Sequence, residues 1–405
     1  MKKTLIAFAA LSAIAGMAQA QSTVTLYGLL DANIGSYKGN IVNPGPVVGG
    51  VAGGTFATGA SIQSFRQTKI DSAGLNGSRW GMRVREDLGG GLAAIGNLES
   101  GINLDTGSSA QGGVLFGRRA NVGLTSGFGT LTIGRNSSSY DDVSIDNAMM
   151  AQTIFDPSQT NNAPSATAAA NLLAPANAAT FLNRNTTWVG FNTRFNNSVK
   201  YISPNFGGFS GSVMYAFGED KTLSTSASRS TSANLKFANG PLVVSGGYQS
   251  EAAGGTLTGS GASTVSAPTG ARPALENALL SVAYDLGVAK VGAGFNRAKF
   301  KDVAAPAILG GGNIAAQKEV NLSVAVPLGA TTISAGIARS KGDTLGKSTG
   351  VGVQALYALS KRTTLYTGVL STKPYDRLAS AVKAVSPSSN IGRTETFAVG
   401  VRHTF

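Results

Sequence analysis

Apolar and polar residues alternate along most of this chain, in segments about ten residues long. In one segment Val320, Leu322 and Val324 alternate with Asn321 and Ser323. Because side chains on a β-strand point to alternate faces, each segment predicts a strand with one apolar face and one small or polar face. About ten residues is also the length that a tilted strand needs to cross a bilayer.

Seven short turns rich in Gly, Asn, Asp and Pro join these segments in pairs. They lie at residues 86–91, 126–130, 203–208, 238–241, 285–288, 326–329 and 359–362. Longer, more polar connections separate the pairs. Seven hairpins and one further strand at each end predict an all-β fold, a sixteen-stranded antiparallel transmembrane β-barrel with short periplasmic turns, long extracellular loops and an inward-folded third loop. The last strand, ending at Phe405, is expected to close the barrel against the first.

The first twenty residues have the pattern of a secretory signal peptide. Lys2 and Lys3 precede a short apolar run, and Ala18, Gln19 and Ala20 fit a small-residue cleavage site. The run is too short for a transmembrane helix; a buried N-terminal helix is the alternative. We expect residues 1–20 to be cleaved and residues 21–405 to form a barrel in the cell outer membrane, reached through the periplasm.

Composition supports a membrane barrel over a soluble protein. The chain has 54 glycines, no cysteine and only 13% charged residues, against roughly 25% in soluble domains. An exported chain without disulfides must be stabilised by a large core or by a bilayer. A soluble, Gly-rich β-solenoid or adhesin is the structural alternative, but it would show a fixed short repeat, and the sequence has none.

One connection, at about residues 137–183, is unusually long. A loop of this length without secondary structure is usually functional. Asp141, Asp142, Asp146 and Asp156 lie in its first part, and residues 163–181 are rich in Ala and Asn. We predict that this loop folds into the lumen and that the four aspartates form the acidic side of a constriction. The alternative is a plain surface loop.

The predicted second strand carries basic residues on one face. Arg79, Arg83 and Arg85 share that face, and Trp80 and Met82 share the other. Because the aromatic and aliphatic face suits lipid, the arginines are predicted to face the lumen. A basic residue facing lipid at the bilayer midplane would cost about 2–4 kcal/mol.

Two further strands add basic residues to the predicted constriction. Arg194 lies on the sixth strand, and Arg118 and Arg119 are neighbours on the fourth. Alternation places one of that pair inside and leaves open which. Together with a net charge of +13, these residues predict a cationic lumen that enriches anions. The alternative is that the arginines only pair with inward Asp31, Asp87 and Glu99.

Several sequence motifs occur together along the mature chain. They are TVTLYG at 23–28, SRWGMR at 78–83, EDLGGGL at 86–92, GTLTIGR at 129–135, SVKYISPNFGGF at 198–209, YALSKRT at 357–363 and VRHTF at 401–405. Through these motifs together, the chain resembles the general porins of Gram-negative outer membranes, of the β-proteobacterial and neisserial type. Residues 163–181 depart from the pattern, because they lack the charge and aromatic content expected of loop three.

The resemblance implies a homotrimer that passes small hydrophilic solutes by diffusion. It implies an inward third loop and a constriction with wall arginines at Arg79, Arg118 and Arg194. It also implies that Phe405 is a signal read by the outer-membrane assembly machinery. As partners we expect outer-membrane lipid and lipopolysaccharide, further copies of the chain, that machinery, and small solutes and anions.

Rival functions find less support in the sequence. A barrel enzyme needs a general base, and the one histidine, His403, lies on the apolar face of the last strand; we expect no enzyme, cofactor or metal site. Export and the absence of a basic run argue against nucleic acid. A substrate-specific channel is the nearest rival, but neither an inward aromatic track nor a dense charged ladder is clear. An autotransporter translocation domain is a further rival, but it would be preceded by a long passenger segment, which we do not expect here.

Overall fold

The computed structural model describes residues 22–43, 60–158, 178, 181–182, 186–221, 226–253, 273–303, 305 and 307–405. The predicted signal peptide lies outside them. The strands of this part are β1 (Thr23–Asn43), β2 (Ser61–Ser72), β3 (Arg79–Gly89), β4 (Leu92–Asn103), β5 (Ser108–Ser109), β6 (Arg119–Ser126), β7 (Gly129–Ser137), β8 (Arg194–Ile202), β9 (Phe209–Phe217), β10 (Arg229–Asn239), β11 (Leu242–Ala252), β12 (Ala274–Asp285), β13 (Lys290–Lys301), β14 (Gln317–Leu328), β15 (Thr331–Gly342), β16 (Gly346–Ala358), β17 (Thr363–Lys373) and β18 (Thr394–Thr404).

Helical structure in the described residues is short. It comprises α1 (Ser139–Ser144), a 3-10 turn at Ala307–Leu309 and α2 (Asp376–Val385). No helix of this part of the chain is both long and apolar enough to span a membrane.

The strand segments occupy sixteen positions in one closed antiparallel barrel, which confirms the predicted fold. β2 pairs with residues 32–43 of β1, and β3 pairs with residues 23–29 of the same strand. Together β2 and β3 fill the second position. Residues 73–78 interrupt that position; we call them the strand break. β5 is a two-residue segment paired to the end of β4. The other strands pair in sequence order, and β18 pairs with β1 from Leu29–Thr404 to Lys38–Glu395.

The seam between the first and last strands is completed by Phe405. Its N–H donates to the carbonyl of Gly28, and the Gly28 N–H donates to the Phe405 carbonyl, both at 3.0 Å. The Phe405 ring lies directly over Gly28, where an added Cβ would be 2.1 Å from the ring carbon Cζ. Glycine at position 28 therefore leaves the space that the aromatic ring fills.

The barrel is apolar on its outside. Leu26, Val122, Leu280 and Leu322 expose 61–64% of their surface, whereas inward positions hold buried polar residues such as Gln249. This inversion of a soluble protein's polarity follows from alternation, because every second residue of each strand is directed outward. An apolar outer face is what contact with lipid requires.

All seven predicted short turns join adjacent strands at one end of the barrel, as predicted. The other end differs from the expectation of uniformly long loops. Residues 343–345 alone connect β15 to β16. The connection after β17 contains α2, whose Leu378 and Val382 are buried.

An apolar cluster fills part of the lumen near the long-loop end. It includes Ile62, Phe181, Leu275, Phe300 and Leu378, and we call it the vestibule cluster. Leu275 and Phe300 lie on the inward faces of β12 and β13, at the ends far from the short turns. Ile62 lies on β2, so the cluster joins β2 to β12 and β13 across the long-loop end of the lumen.

Candidate functional site: an arginine-lined constriction

The connection between β7 and β8, residues 138–193, is loop three, and it runs ten residues beyond the predicted end at 183. Its described residues lie inside the barrel. Tyr140 donates to Asn296 on β13 (3.0 Å), Asn147 donates to Asn321 on β14 (2.8 Å), and the Ile154 N–H donates to the Gly74 carbonyl of the strand break (2.9 Å). The loop thus crosses the lumen from one wall to another.

Two wall lysines fix the start of loop three. Lys200 on β8 binds Asp142 at 2.6 Å, and Lys236 on β10 binds Asp146 at 2.8 Å. The Lys200 side chain is only 4% exposed, and its ammonium also donates to the Ser137 carbonyl at 3.0 Å, so these two contacts offset the cost of burying it. Lys236 was not among the predicted site residues, although alternation along β10 places it on the inward face.

A cavity of about 470 Å³ lies between loop three and the wall, on the short-turn side. All five arginines predicted for the constriction line it: Arg79, Arg83, Arg118, Arg119 and Arg194. Asp141 and Asp142 of loop three line it as well. Arg118 and Arg119 both face inward. Arg119 pairs in register with Glu99, whose side chain is inward. Arg118 lies just before β6, and its side chain binds the same carboxylate.

Glu99 organises one side of this cavity. It accepts a hydrogen bond from Arg118 Nε at 2.6 Å and another from the Tyr27 hydroxyl at 2.8 Å. The Arg83 guanidinium lies 4.1 Å from the centre of the Tyr27 ring, a cation–π contact. The salt bridge to Glu99 thus fixes Arg118, and the contact with the Tyr27 ring fixes Arg83.

The other arginines keep their charge unpaired. In the described residues Arg79, Arg119 and Arg194 form no salt bridge; Arg79 donates to the Gly77 carbonyl (3.3 Å) and Arg194 to the Thr193 hydroxyl (2.9 Å). The alternative that these arginines only pair with carboxylates therefore holds for Arg118 alone. The carboxylates of Asp31 and Asp87 instead accept backbone N–H groups.

A second cavity of about 520 Å³ lies on the loop side of the same residues. Arg79, Arg118, Arg194 and Gln152 line both cavities, so they mark the narrow passage between them. Arg135 joins the second cavity, where its side chain donates to the Gly117 carbonyl at 2.7 Å. Arg135 was not among the predicted site residues, because a bulge between Gly134 and Asn136 shifts the alternation of β7.

The four predicted aspartates do not lie together at the constriction. Asp141 and Asp142 reach the cavity, and burial raises the pKa of Asp141 to about 6. Asp146 is turned to Lys236 and Ser245 on the wall. Asp156 is 4% exposed and accepts hydrogen bonds from its neighbour Ser158. The acidic side is thus smaller than predicted, since these two carboxylates satisfy contacts within the loop and with the wall.

A closed barrel with an apolar outside, an inward loop and a charged constriction defines an outer-membrane channel. A sequence profile of the Gram-negative porins matches residues 7–373. The chain belongs to this family and is an outer-membrane porin.

Curated relatives and solved structures agree. The chain is 30% identical to outer membrane porin protein 32 of Delftia acidovorans over the full length of both. It is 32% identical to an outer membrane porin protein of Bordetella pertussis over 61% of this chain, a match that spans 59% of that protein's length. The structure of an anion-selective porin from Comamonas acidovorans superposes with a TM-score of 0.66, at 25% identity, over 95% of this chain and all of that one.

Proposed function

We propose that this porin is a general diffusion channel for small hydrophilic solutes with a weak preference for anions. The observation that carries the preference is the set of five arginines around one cavity, of which only Arg118 forms a salt bridge in the described residues. Fixed positive charge in a narrow aqueous passage raises the local concentration of anions. The anion-selective porin of similar structure supports the same reading.

Reconstitution in planar bilayers tests the proposal. Under a KCl gradient the reversal potential should show a preference for chloride over potassium. Arg79→Glu changes the local charge by two units. For an ion passing about 8 Å away in a water-like dielectric, each unit is worth roughly 0.5 kcal/mol, so chloride loses and potassium gains about 1 kcal/mol. The permeability ratio should therefore fall by up to about thirtyfold at low salt, and by less where salt screens the charge.

Two control variants sharpen the measurement. Arg79→Lys keeps the charge and should leave the ratio close to that of the wild type. Lys361→Glu makes the same charge change in an exposed short turn and should have little effect. A cation-preferring wild type, or an unchanged ratio in Arg79→Glu, contradicts the proposal.

A solute-specific channel is the second candidate, favoured by the arginines that continue from one cavity to the next. Arg79, Arg118 and Arg194 line both cavities and Arg135 lines the second. A binding site would make anion current saturate at millimolar concentration, whereas a diffusion pore gives current that rises in proportion to concentration. The current–concentration curve for phosphate, compared with chloride, separates the two.

We also propose a homotrimer, contact with lipopolysaccharide, and recognition of Phe405 by the assembly machinery. An apolar hollow on the outer wall, lined in part by Ile34, Ile70, Tyr357 and Val399, supports self-association. Mass measurement in detergent tests the trimer, and deletion of Phe405 followed by cell fractionation tests assembly. We propose no catalytic role: His403 is exposed beside Thr363 at the short-turn rim, with 2.9 Å between Nδ1 and the hydroxyl.

A further inference from the structure

Gln152 of loop three lies at the narrow passage between the two cavities. Among the described residues of loop three, it is the one residue that lines both of them. The wall residues that line both are Arg79, Arg118 and Arg194. A solute that moves from one cavity to the other therefore passes between three guanidinium groups on the wall and one amide on the loop.

The loop side of this passage carries no carboxylate among its described residues. Glu99, Asp141 and Asp142 line only the cavity on the short-turn side, where Glu99 is paired with Arg118 at 2.6 Å. The described lining of the second cavity includes no Asp or Glu. Because an amide has no net charge, Gln152 leaves the positive field of the wall arginines in place at the point where the two cavities meet.

The backbone of Gln152 is in the left-handed conformation, with a φ of +63°. Residues other than glycine adopt this conformation at a cost, and such residues cluster at functional sites where the surrounding structure imposes it. Hydrogen bonds on both sides impose it here. The Ala151 N–H donates to the Ala148 carbonyl (3.1 Å), and the Thr153 N–H donates to the Met150 carbonyl (3.2 Å). These bonds fix the direction in which the Gln152 side chain leaves the loop.

The strand break holds both sides of the passage. Its Gly74 carbonyl accepts the N–H of Ile154, two residues after Gln152, at 2.9 Å. Its Gly77 carbonyl accepts a hydrogen bond from the Arg79 side chain at 3.3 Å. One short segment thus sets the spacing between the amide and the Arg79 guanidinium. Groups held in this way act on a passing ion without first having to reorganise.

We propose that Gln152 is a specificity-determining residue of this pore, which keeps the loop side of the passage neutral and thereby sets the strength of the anion preference. The inference rests on the proposed function, because it concerns the same arginines. The Gln152 side chain is exposed, and its amide offers a donor and an acceptor to a hydrated ion of either sign. A carboxylate at this position would offset one of the three arginine charges inside the passage.

Reversal potentials in planar bilayers under a KCl gradient test the role of Gln152. Gln152→Glu changes the charge by one unit, half the change made by Arg79→Glu. It should lower the chloride-to-potassium permeability ratio by up to about fivefold at low salt, and by less where salt screens the charge. Gln152→Lys makes the opposite change and should raise the ratio by a similar factor. Heat-modifiable electrophoretic mobility shows that each variant is folded.

Gln111→Glu is the matched control. Gln111 belongs to loop two, has a φ of +52°, and lines the second cavity but not the first. Residue type, backbone conformation and charge change are therefore the same as at Gln152, and only the place in the pore differs. Because this carboxylate would lie outside the passage, the permeability ratio should fall by less than about twofold.

Two results would overturn the role of Gln152. One is a wild-type permeability ratio in both Gln152→Glu and Gln152→Lys, and the other is an equal fall in Gln111→Glu and Gln152→Glu. If the wild type prefers anions and the Gln152 variants keep its ratio, the pore function stands and only this inference is wrong. A wild type without anion preference contradicts the proposed function, while the shifts in the two variants still decide the role of Gln152.

Discussion

Asp31 is predicted to hold the strand break, and thereby loop three, in place. This buried carboxylate on β1 accepts the backbone N–H groups of Gly74 (3.0 Å), Leu75 (2.8 Å) and Asn76 (2.8 Å). The Tyr366 hydroxyl donates to it as well. Since the Gly74 carbonyl in turn accepts the N–H of Ile154, the break is also a support for loop three.

Replacement of Asp31 by alanine leaves three backbone N–H groups without a partner. Each unsatisfied buried donor costs about 1–3 kcal/mol. Water in the lumen can reach part of the break, so we take the lower end, which gives a loss of about 3–4 kcal/mol. Asp31→Asn keeps the oxygen that accepts the Gly74 N–H and should lose about two thirds of that, because an amide nitrogen in place of Oδ2 cannot accept the N–H groups of Leu75 and Asn76.

Urea unfolding in lipid vesicles measures the effect, followed by the fluorescence of Trp80 and Trp188. Single-channel recordings should also show larger current fluctuations in Asp31→Ala, because loop three loses a support. Asp87→Asn is the control: its carboxylate accepts the Gly89 N–H at 2.9 Å in an exposed turn, so a loss below about 1 kcal/mol is expected. If Asp31→Ala unfolds within 1 kcal/mol of the wild type, water replaces the carboxylate and the reasoning is wrong.

Three further predictions concern the loop, its anchor and the seam. Because the pKa of Asp141 is raised to about 6, this group loses its negative charge as the pH falls through 6; anion preference in bilayers should rise between pH 7.5 and 5, and Asp141→Asn should remove the change. Lys200→Met leaves a partly exposed carboxylate unpaired and should lower the free energy of unfolding in urea by about 2 kcal/mol; a shift below 0.5 kcal/mol would show that the ion pair contributes little. Gly28→Val places methyl groups inside the Phe405 ring and should reduce the folded yield on heat-modifiable gels, whereas Gly127→Val, with open space around it, should not; equal yields would mean that the ring moves aside.

The strand count and the short turns could be predicted because lipid enforces a simple pattern. Within the apolar band every outward residue must be apolar, so alternation is clear from Val320 to Val324, for example. Above that band both faces are polar and the pattern fades. The structure accordingly extends β1 to Asn43, about twice the length of the predicted strands, and it interrupts the second position at residues 73–78.

The wall side of the constriction was more predictable than the loop side. Arg79, Arg83 and Arg194 lie on strands, where alternation specifies the face. Loop three has no such period, so nothing in the sequence distinguishes Asp141, which reaches the cavity, from Asp156, which turns back to Ser158.

Loop three has a mechanical consequence. It is tied to β8 and β10 at its start, to β13 and β14 through Tyr140 and Asn147, and to the strand break through Ile154. A hollow cylinder flattens readily under sideways load, but one with a strut fixed at several points keeps its cross-section. The width of the passage is therefore set from within the protein, and lateral pressure from a crowded membrane should reach the arginines only weakly.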